Sequence, residues 1–502
     1  MQGLTLTKRP FRGALFFSSA ALLLTVTLCG GASAADGVLS APTAVTATPA
    51  VPDGQRVFSV ADGMIAYLAQ ATQWVDVPAS RMTIAALRPS IQQAVMAHPD
   101  VRLAQEQQAT AGYASREAFA GFLPQVSTTL DAGRRHFDRV STPYSVVPEH
   151  DQKTQAIGIS ARQLLYDFGA VSSRVDAQSS REVAAEAKAQ TRRSELTLRA
   201  LTAWHDVFRA RQQLNLAVVN RNSRQQILSF IEEREALGGS SKSDVLRVRA
   251  RLSDAQAALV FAESRLSAAE ASYREVFNAA PPADLRLPAA PIVDLARFTG
   301  VAKLTSTAQQ SSLIKEAQAQ ANAAGQDAKA AAAAMLPSVF VDVSATRRDI
   351  GGGAGTTPGN DTAALIVFKH NFYSGGAELA RKRQADQRAI ESKLEEESLQ
   401  RQVERAIAQA VAEVNNSDSI VSTRKETVQV ASQAFDAVRE QFAFRRGTLL
   451  DLLRAQEELY LAGRDLIDGV VDHALARHRL LHLATELAPL FGIAAPVNTE
   501  RE

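Results

Sequence analysis

The ionisable residues with the most suggestive spacing lie in two short stretches that read alike. "SSKSDVLRVRARL" (Ser240 to Leu252) and "RRGTLLDLLRAQEEL" (Arg445 to Leu459) each set small polar residues ahead of an Asp that opens a helical pattern. Arg454 follows Asp451 at three residues, a helical ion-pair spacing worth ~0.2–0.5 kcal/mol. Other groupings offer less. His478 and His482 are i, i+4, with His473 nearby, and two such rings can share a metal face, but no H-E-x-x-H is present. Gly351, Gly352, Gly353 and Gly355 lack the G-x-G-x-x-G spacing of a phosphate loop and no helix follows them, so they read as a surface loop joining strands. No nucleophile motif such as G-x-S-x-G occurs. Neither a catalytic site nor a metal or cofactor is expected.

The N-terminus sets the compartment. Lys8, Arg9 and Arg12 precede the apolar run "GALFFSSAALLLTVTL", and Ala32-Ser33-Ala34 follows as a cleavage site. Residues 1–34 therefore read as a secretory signal peptide. The lone cysteine, Cys29, sits inside it, preceded by Leu28 rather than by the small residue expected before a lipidated cysteine. A mature chain cut after Ala34 has no thiol chemistry, and losing three basic residues from 55 Lys+Arg against 53 Asp+Glu leaves it near neutral. Near-neutrality gives no electrostatic case for nucleic acid. After the leader no stretch approaches eighteen apolar residues, so crossing a bilayer would require a closed β-barrel.

Residues 35–84 are assigned to a largely disordered N-terminal extension, from the Ala, Pro and Thr content of its first part. A helical pattern is then expected from Ser90, as its cap, with Pro99 opening a second segment that stops at Leu123-Pro124. "PQVSTTLDAGRRHF" and "TQAIGISARQLLY" alternate as strands, with a polar loop between them. Ala170 to Leu237 runs without a Pro or Gly and is dense in strong helix formers. "GGSS" (Gly238 to Ser241) then turns the chain into a second Pro- and Gly-free run, and "APPADLRLPAAPIVDL" ends the half as a linker.

The plan repeats. Leu336-Pro337 matches Leu123-Pro124, "SVFVDVSATRR" and "TAALIVFKHNF" read as strands, and Ala377 to Arg446 is again free of Pro and Gly, with a turn at Gly447. Asp451 lies 207 residues beyond Asp244. The chain is a tandem duplication, with repeats at 85–295 and 296–488 and a tail at 489–502.

Four strands of membrane-spanning length cannot close a barrel, which needs about eight or more. Three chains would supply twelve strands and a coaxial cylinder of helices, helped by the Ala-rich segments "VAAEAKAQ" and "QAQANAAGQDAKAAAAA". Tyr166, Phe168, Phe372 and Tyr373 stand where strands hand over to long helices, the place of an interfacial aromatic girdle.

"GFLPQVSTTLDA" with "AMLPSVFVDVSA", "LLYDFGAVSSRVDAQ" with "NFYSGGAELARKRQAD", and the paired turns resemble the TolC family of outer-membrane channel-tunnels. The resemblance implies a homotrimer whose four strands per chain build a 12-stranded outer-membrane β-barrel, continuous with a periplasmic α-helical barrel. It also implies outer-membrane lipid around the barrel, and a periplasmic adaptor and an inner-membrane transporter as partners. Export would be passive: type I protein secretion, to whose members "REQFAFRRGTLLDLLRAQEELYLA" is most similar, or alternatively small-molecule efflux. In that family the turns close the periplasmic mouth and acidic residues ring the pore. Asp451 matches one ring position, whereas Arg454 stands where the family has a second acid. Asp244 matches a position that latches neighbouring helices, with Arg445 and Arg446 as its candidate partners, since the usual basic position is Gly447. Phe442 replaces a frequent Tyr, so a hydroxyl link is lost. A soluble periplasmic coiled-coil adaptor is the rival of another class; it would have one hairpin between compact β-domains, and the duplication argues against it.

Overall fold

The computed structural model describes residues 63–72, 82–147, 150–352 and 355–493. The expected signal peptide at residues 1–34, with Cys29, and the first part of the expected N-terminal extension lie outside the described residues. Within that extension, however, residues 63–72 form a helix, α1, with Met64, Leu68 and Ala71 fully or almost fully buried. The 35–84 assignment is thus corrected here. The Ala-, Pro- and Thr-rich composition is confined to residues 35–55, while Met64, Leu68 and Ala71 recur at spacings of four and three and supply an apolar helix face.

Helix α2 (Ile84–Ala97) starts six residues before the expected cap. Thr83, not Ser90, accepts the Ala86 amide at 3.3 Å, and Pro89 lies inside the helix. Leu87, Ile91, Ala94 and Val95 carry a continuous buried stripe across the proline, and their burial outweighs its missing hydrogen bond. Helix α3 (Pro99–Phe119) opens on Pro99 as expected, capped by His98 Nδ1, which accepts the Asp100 amide at 3.1 Å.

Strand β1 (Gln125–Phe137) pairs antiparallel with β4 (His150–Tyr166). The intervening polar loop carries a small hairpin of its own, β2 (Val140–Thr142) and β3 (Ser145–Val147). Strands β5 (Ser338–Gly352) and β6 (Gly355–Lys369) complete a four-stranded sheet in the order β1-β4-β5-β6. The Gly-rich surface loop shrinks accordingly, because the ladder continues pairing out to Gly352 opposite Gly355.

Period-two alternation divides this sheet into two chemically different faces. Val126, Thr128 and Leu130 lie opposite Ala161, Ile159 and Ile157, and Ala161 in turn lies opposite Val343 and that residue opposite Ala364. Ile366 and Phe368 extend this apolar face and are exposed. On the other face a Ser127–Ser160 hydroxyl pair at 2.8 Å and a bidentate Arg162–Asp342 pair at 2.7 and 2.8 Å cross the strands. That face is crowded: a Cβ on Gly158 would meet the Thr129 and Thr346 hydroxyls at 3.0 and 3.1 Å.

Below the sheet run the rods. Helices α4 (Ala170–Ala236) and α8 (Ala377–Ala443) each have 67 residues, about 100 Å at ~1.5 Å per residue. Both are entered through consecutive positive-φ residues, Phe168 and Gly169 in one half and Gly375 and Gly376 in the other, each pair 207 residues from its counterpart. Helices α5 (Lys242–Phe277) and α9 (Leu449–Leu483) return antiparallel to them. Between the halves, the linker pairs with the segment before α2 (Met82 N–H to Leu287 O, 2.9 Å), followed by α6 (Val301–Gln310), which the sequence reading passed over, and α7 (Ser312–Ala333). The Ala-rich segments do pack: α7, with Ala319, Ala323 and Ala330 buried, lies along α4, whose Ala184 and Ala187 are buried. A last turn, α10 (Leu487–Leu490), leads to Phe491 and Ile493, both buried, so the 489–502 tail is corrected to begin beyond the core residue Ile493. Among the described residues no helix is long and apolar enough to cross a membrane.

Candidate pore mouth

The two helical turns are one device written twice. In the first, α4 closes through Gly238 in the left-handed region (φ 74°), and Gly239 N–H returns to Arg234 O at 2.7 Å. In the second, Arg445 holds the same conformation (φ 59°), and Arg446 N–H returns to Gln441 O at 2.8 Å. Glycine suits that closure, so Arg445 carries strain that Gly238 does not.

Each returning helix begins on a hydroxyl cap. Ser241 accepts the Asp244 amide at 3.2 Å while Asp244 Oδ2 accepts the Ser241 amide at 3.2 Å and its hydroxyl at 2.8 Å. Thr448 accepts the Asp451 amide at 3.2 Å and donates its hydroxyl to Asp451 at 2.6 Å. Both aspartates are therefore third residues of capped helices, where a carboxylate also meets the positive end of the dipole. Asp244 is half-buried and Asp451 exposed.

Asp244 is paired with Arg247 on its own helix at 3.7 Å. Among the described residues it makes no ion pair with Arg445 or Arg446, both of which are exposed. Arg247 escaped the sequence reading although it stands 207 residues before Arg454. The shared offset was the signal that could have found it: both turns read hydroxyl, two residues, Asp, two residues, Arg. Asp451 and Arg454 are both exposed, and no ion pair joins them among the described residues.

Phe442 points away from solvent. It is buried edge-on against Phe230 of α4 (ring centroids 6.4 Å apart), and the Arg234 guanidinium lies 5.6 Å from its ring centre. An aromatic–cation contact thus ties the ends of α4 and α8 where a hydroxyl link was expected to be missing.

Behind the turns, α4 and α9 meet along a polar seam. Buried Gln456 donates to Ser223 at 2.9 Å, and buried Arg224 pairs with Glu457 and reaches Asn220. Gln213 donates to Asp468 at 2.7 Å, and burial raises that carboxyl above its usual range. Farther along, His205 and His478 pack edge to face at 5.5 Å, each N–H bonded to a carbonyl of its own helix. Burial drives them down to about 4 and about 3. The three C-terminal histidines go to three places: His478 to this pair, His482 to Ser194, His473 to Ser417 and Asp418. At the other end of the rods, Tyr166, Phe168, Phe372 and Tyr373 are all exposed, the first two in edge contact at 4.7 Å.

A duplicated chain of this architecture has close counterparts. The model of the family described as "Outer membrane efflux protein" matches residues 90–278 and 304–484, one block per repeat and together most of the chain. The chain belongs to the outer membrane efflux protein family. It is similar to the outer membrane efflux protein BepC of Brucella suis, with 26% identity over 365 residues, 73% of this chain and 77% of BepC. It is similar also to the alkaline protease secretion protein AprF of Pseudomonas aeruginosa, with 23% identity covering 72% and 76%. Among solved structures, the Vibrio cholerae outer membrane protein VceC superposes with a TM-score of 0.70 at 18% identity, covering 80% of this chain and 96% of VceC. This efflux-family protein is therefore an outer-membrane channel reaching into the periplasm, and a transport protein rather than an enzyme.

Proposed function

We propose that this efflux-family chain works as a homotrimer, an exit duct that passively conducts substrate handed to it by an inner-membrane transporter through a periplasmic adaptor. One observation carries the reading: a four-stranded sheet with β1 and β6 at its edges and, among the described residues, no strand beyond them, one face carrying the apolar belt and the other the Ser127–Ser160 and Arg162–Asp342 pairs beside Leu164, Phe340 and Leu365. Open edges cannot persist in hydrocarbon, and three such sheets give twelve strands, within the range that closes. The apolar face then meets lipid, the Ser127, Ser160 and Arg162 face lines the lumen, and Tyr166, Phe168, Phe372 and Tyr373 sit at the inner interface.

The turns form the periplasmic mouth in this reading. Asp451 and Arg454, both exposed, project charge of both signs toward the axis, while Asp244–Arg247 and Phe442–Arg234 hold the tips. Asp451→Ala and Arg454→Ala should shift the cation preference of single-channel current in a planar bilayer in opposite directions. Unchanged current in both variants would move the gate elsewhere.

For cargo we infer protein secretion of type I, supported by the "REQFAFRRGTLLDLLRAQEELYLA" stretch and by the name of AprF among the relatives. The name of BepC favours small-molecule efflux as a second reading. Deleting the chain in its host separates them: loss of a secreted protein from the medium supports the first, and sensitivity to toxic compounds with secretion intact supports the second.

A further inference from the structure

On the sheet's apolar face, the belt ends abruptly in positive charge. Following that face away from the helices, β1 reads Val126, Thr128, Leu130, Ala132, Arg134, and β4 reads Leu165, Gln163, Ala161, Ile159, Ile157, Gln155, Lys153. Arg134 and Lys153 are direct cross-strand partners, and both are exposed. Like charges opposed across a ladder destabilise it. Among the described residues neither makes an ion pair, and the next pair outward sets Asp151 against His136 at 2.9 Å. Arg347 adds a third cation to the same face, 65% exposed and partly balanced by Asp349 at 3.8 Å.

The position selects the counter-ion. Leu130 to Arg134 is four residues, about 13 Å along the strand at ~3.3 Å per residue, so Arg134 and Lys153 stand one head-group layer beyond the apolar belt, while Arg347, opposite Ile157, lies at its margin. We propose that Arg134 and Lys153 bind the phosphate of an outer-leaflet lipid head group, whose acyl chains lie along Leu130, Ile157 and Ile159. An exposed Arg gives phosphate a planar fork and Lys a point charge, and neighbouring apolar side chains hold the remainder of such a lipid where they would not hold a free ion. This inference rests on the sheet closing into a membrane barrel whose strand connections face outward.

The test uses the full-length protein in detergent and native mass spectrometry, with bis-phosphorylated lipid A as the probe. Wild type should run at trimer mass and retain lipid A, with dephosphorylated lipid A held about tenfold more weakly and inorganic phosphate failing to compete. The double variant R134Q/K153Q should form the same trimer but lose retention by about tenfold or more. R348Q removes a cation from the opposite face of β5 and should retain lipid A as wild type does. A trimer that holds lipid A equally with and without Arg134 and Lys153, or that loses it equally in R348Q, would overturn the site alone. Competition by inorganic phosphate would reassign the site to a free anion and overturn it as a lipid site. A wild type that does not reach trimer mass would overturn the barrel reading and the site with it.

Discussion

At the level of single residues, the turns show what a duplicated sequence preserves and what it releases. The hydroxyl cap, the Asp and the Arg recur at one offset, because the start of each returning helix needs the same hydrogen bonds. The residue that closes the preceding helix has diverged from Gly238 to Arg445, although the backbone has not. Holding a side chain in the left-handed region costs about 1 kcal/mol relative to glycine. Arg445→Gly should therefore stabilise the second tip by about that amount, read as slower amide exchange at Arg446 and Gly447 with the rest of α8 unchanged. Asp244 teaches the complementary lesson. Among the described residues of one chain, Asp244 makes its ion pair with Arg247, one helical turn away, and none with Arg445 or Arg446. Local pairs form with little ordering cost, so they claim a carboxylate before distant ones do.

Among the elements, the long helices and the four strands were legible in advance, since uninterrupted runs of helix formers and period-two alternation leave few alternatives. Helix α1 and the polar seam were not. Charged residues on an amphipathic helix read as its solvated face, and only packing of α4 on α9 shows Arg224, Gln456, His205 and His478 to be inside. The histidine pair gives the seam a pH dependence. Its folded values, about 4 and about 3, lie below the ~6.5 of an unfolded chain. Their stabilising effect is therefore complete above pH ~6.5 and is lost as pH falls toward the folded values, by on the order of 3 kcal/mol for His205 at pH ~4. Asp206 and Asp468, whose carboxyls burial raises, work in the opposite sense and soften the loss. Urea midpoints taken from pH 7 to 4.5 should fall, and His205→Phe should flatten that fall. An equal slope in both proteins would assign the acid sensitivity to other groups.

For the whole molecule, the open sheet edges set the terms of assembly. Strand β1 forms one edge of the sheet and β6 the other, so in the proposed trimer every copy completes both of its neighbours. A closed ring of three like subunits tolerates no vacancy. A chain whose β6 still folds but cannot accept a partner, for example with prolines at Ala364 and Ile366, should poison each ring it enters. Expressed at parity with wild type, it would leave only about one ring in eight built wholly of sound copies, measurable as loss of export in a merodiploid strain. A variant unable to fold at all should be harmless in the same background. The sheet edge thus has a genetic signature as well as a structural one: lesions in this short stretch of sequence should be dominant, and lesions in the expected leader at residues 1–34 recessive.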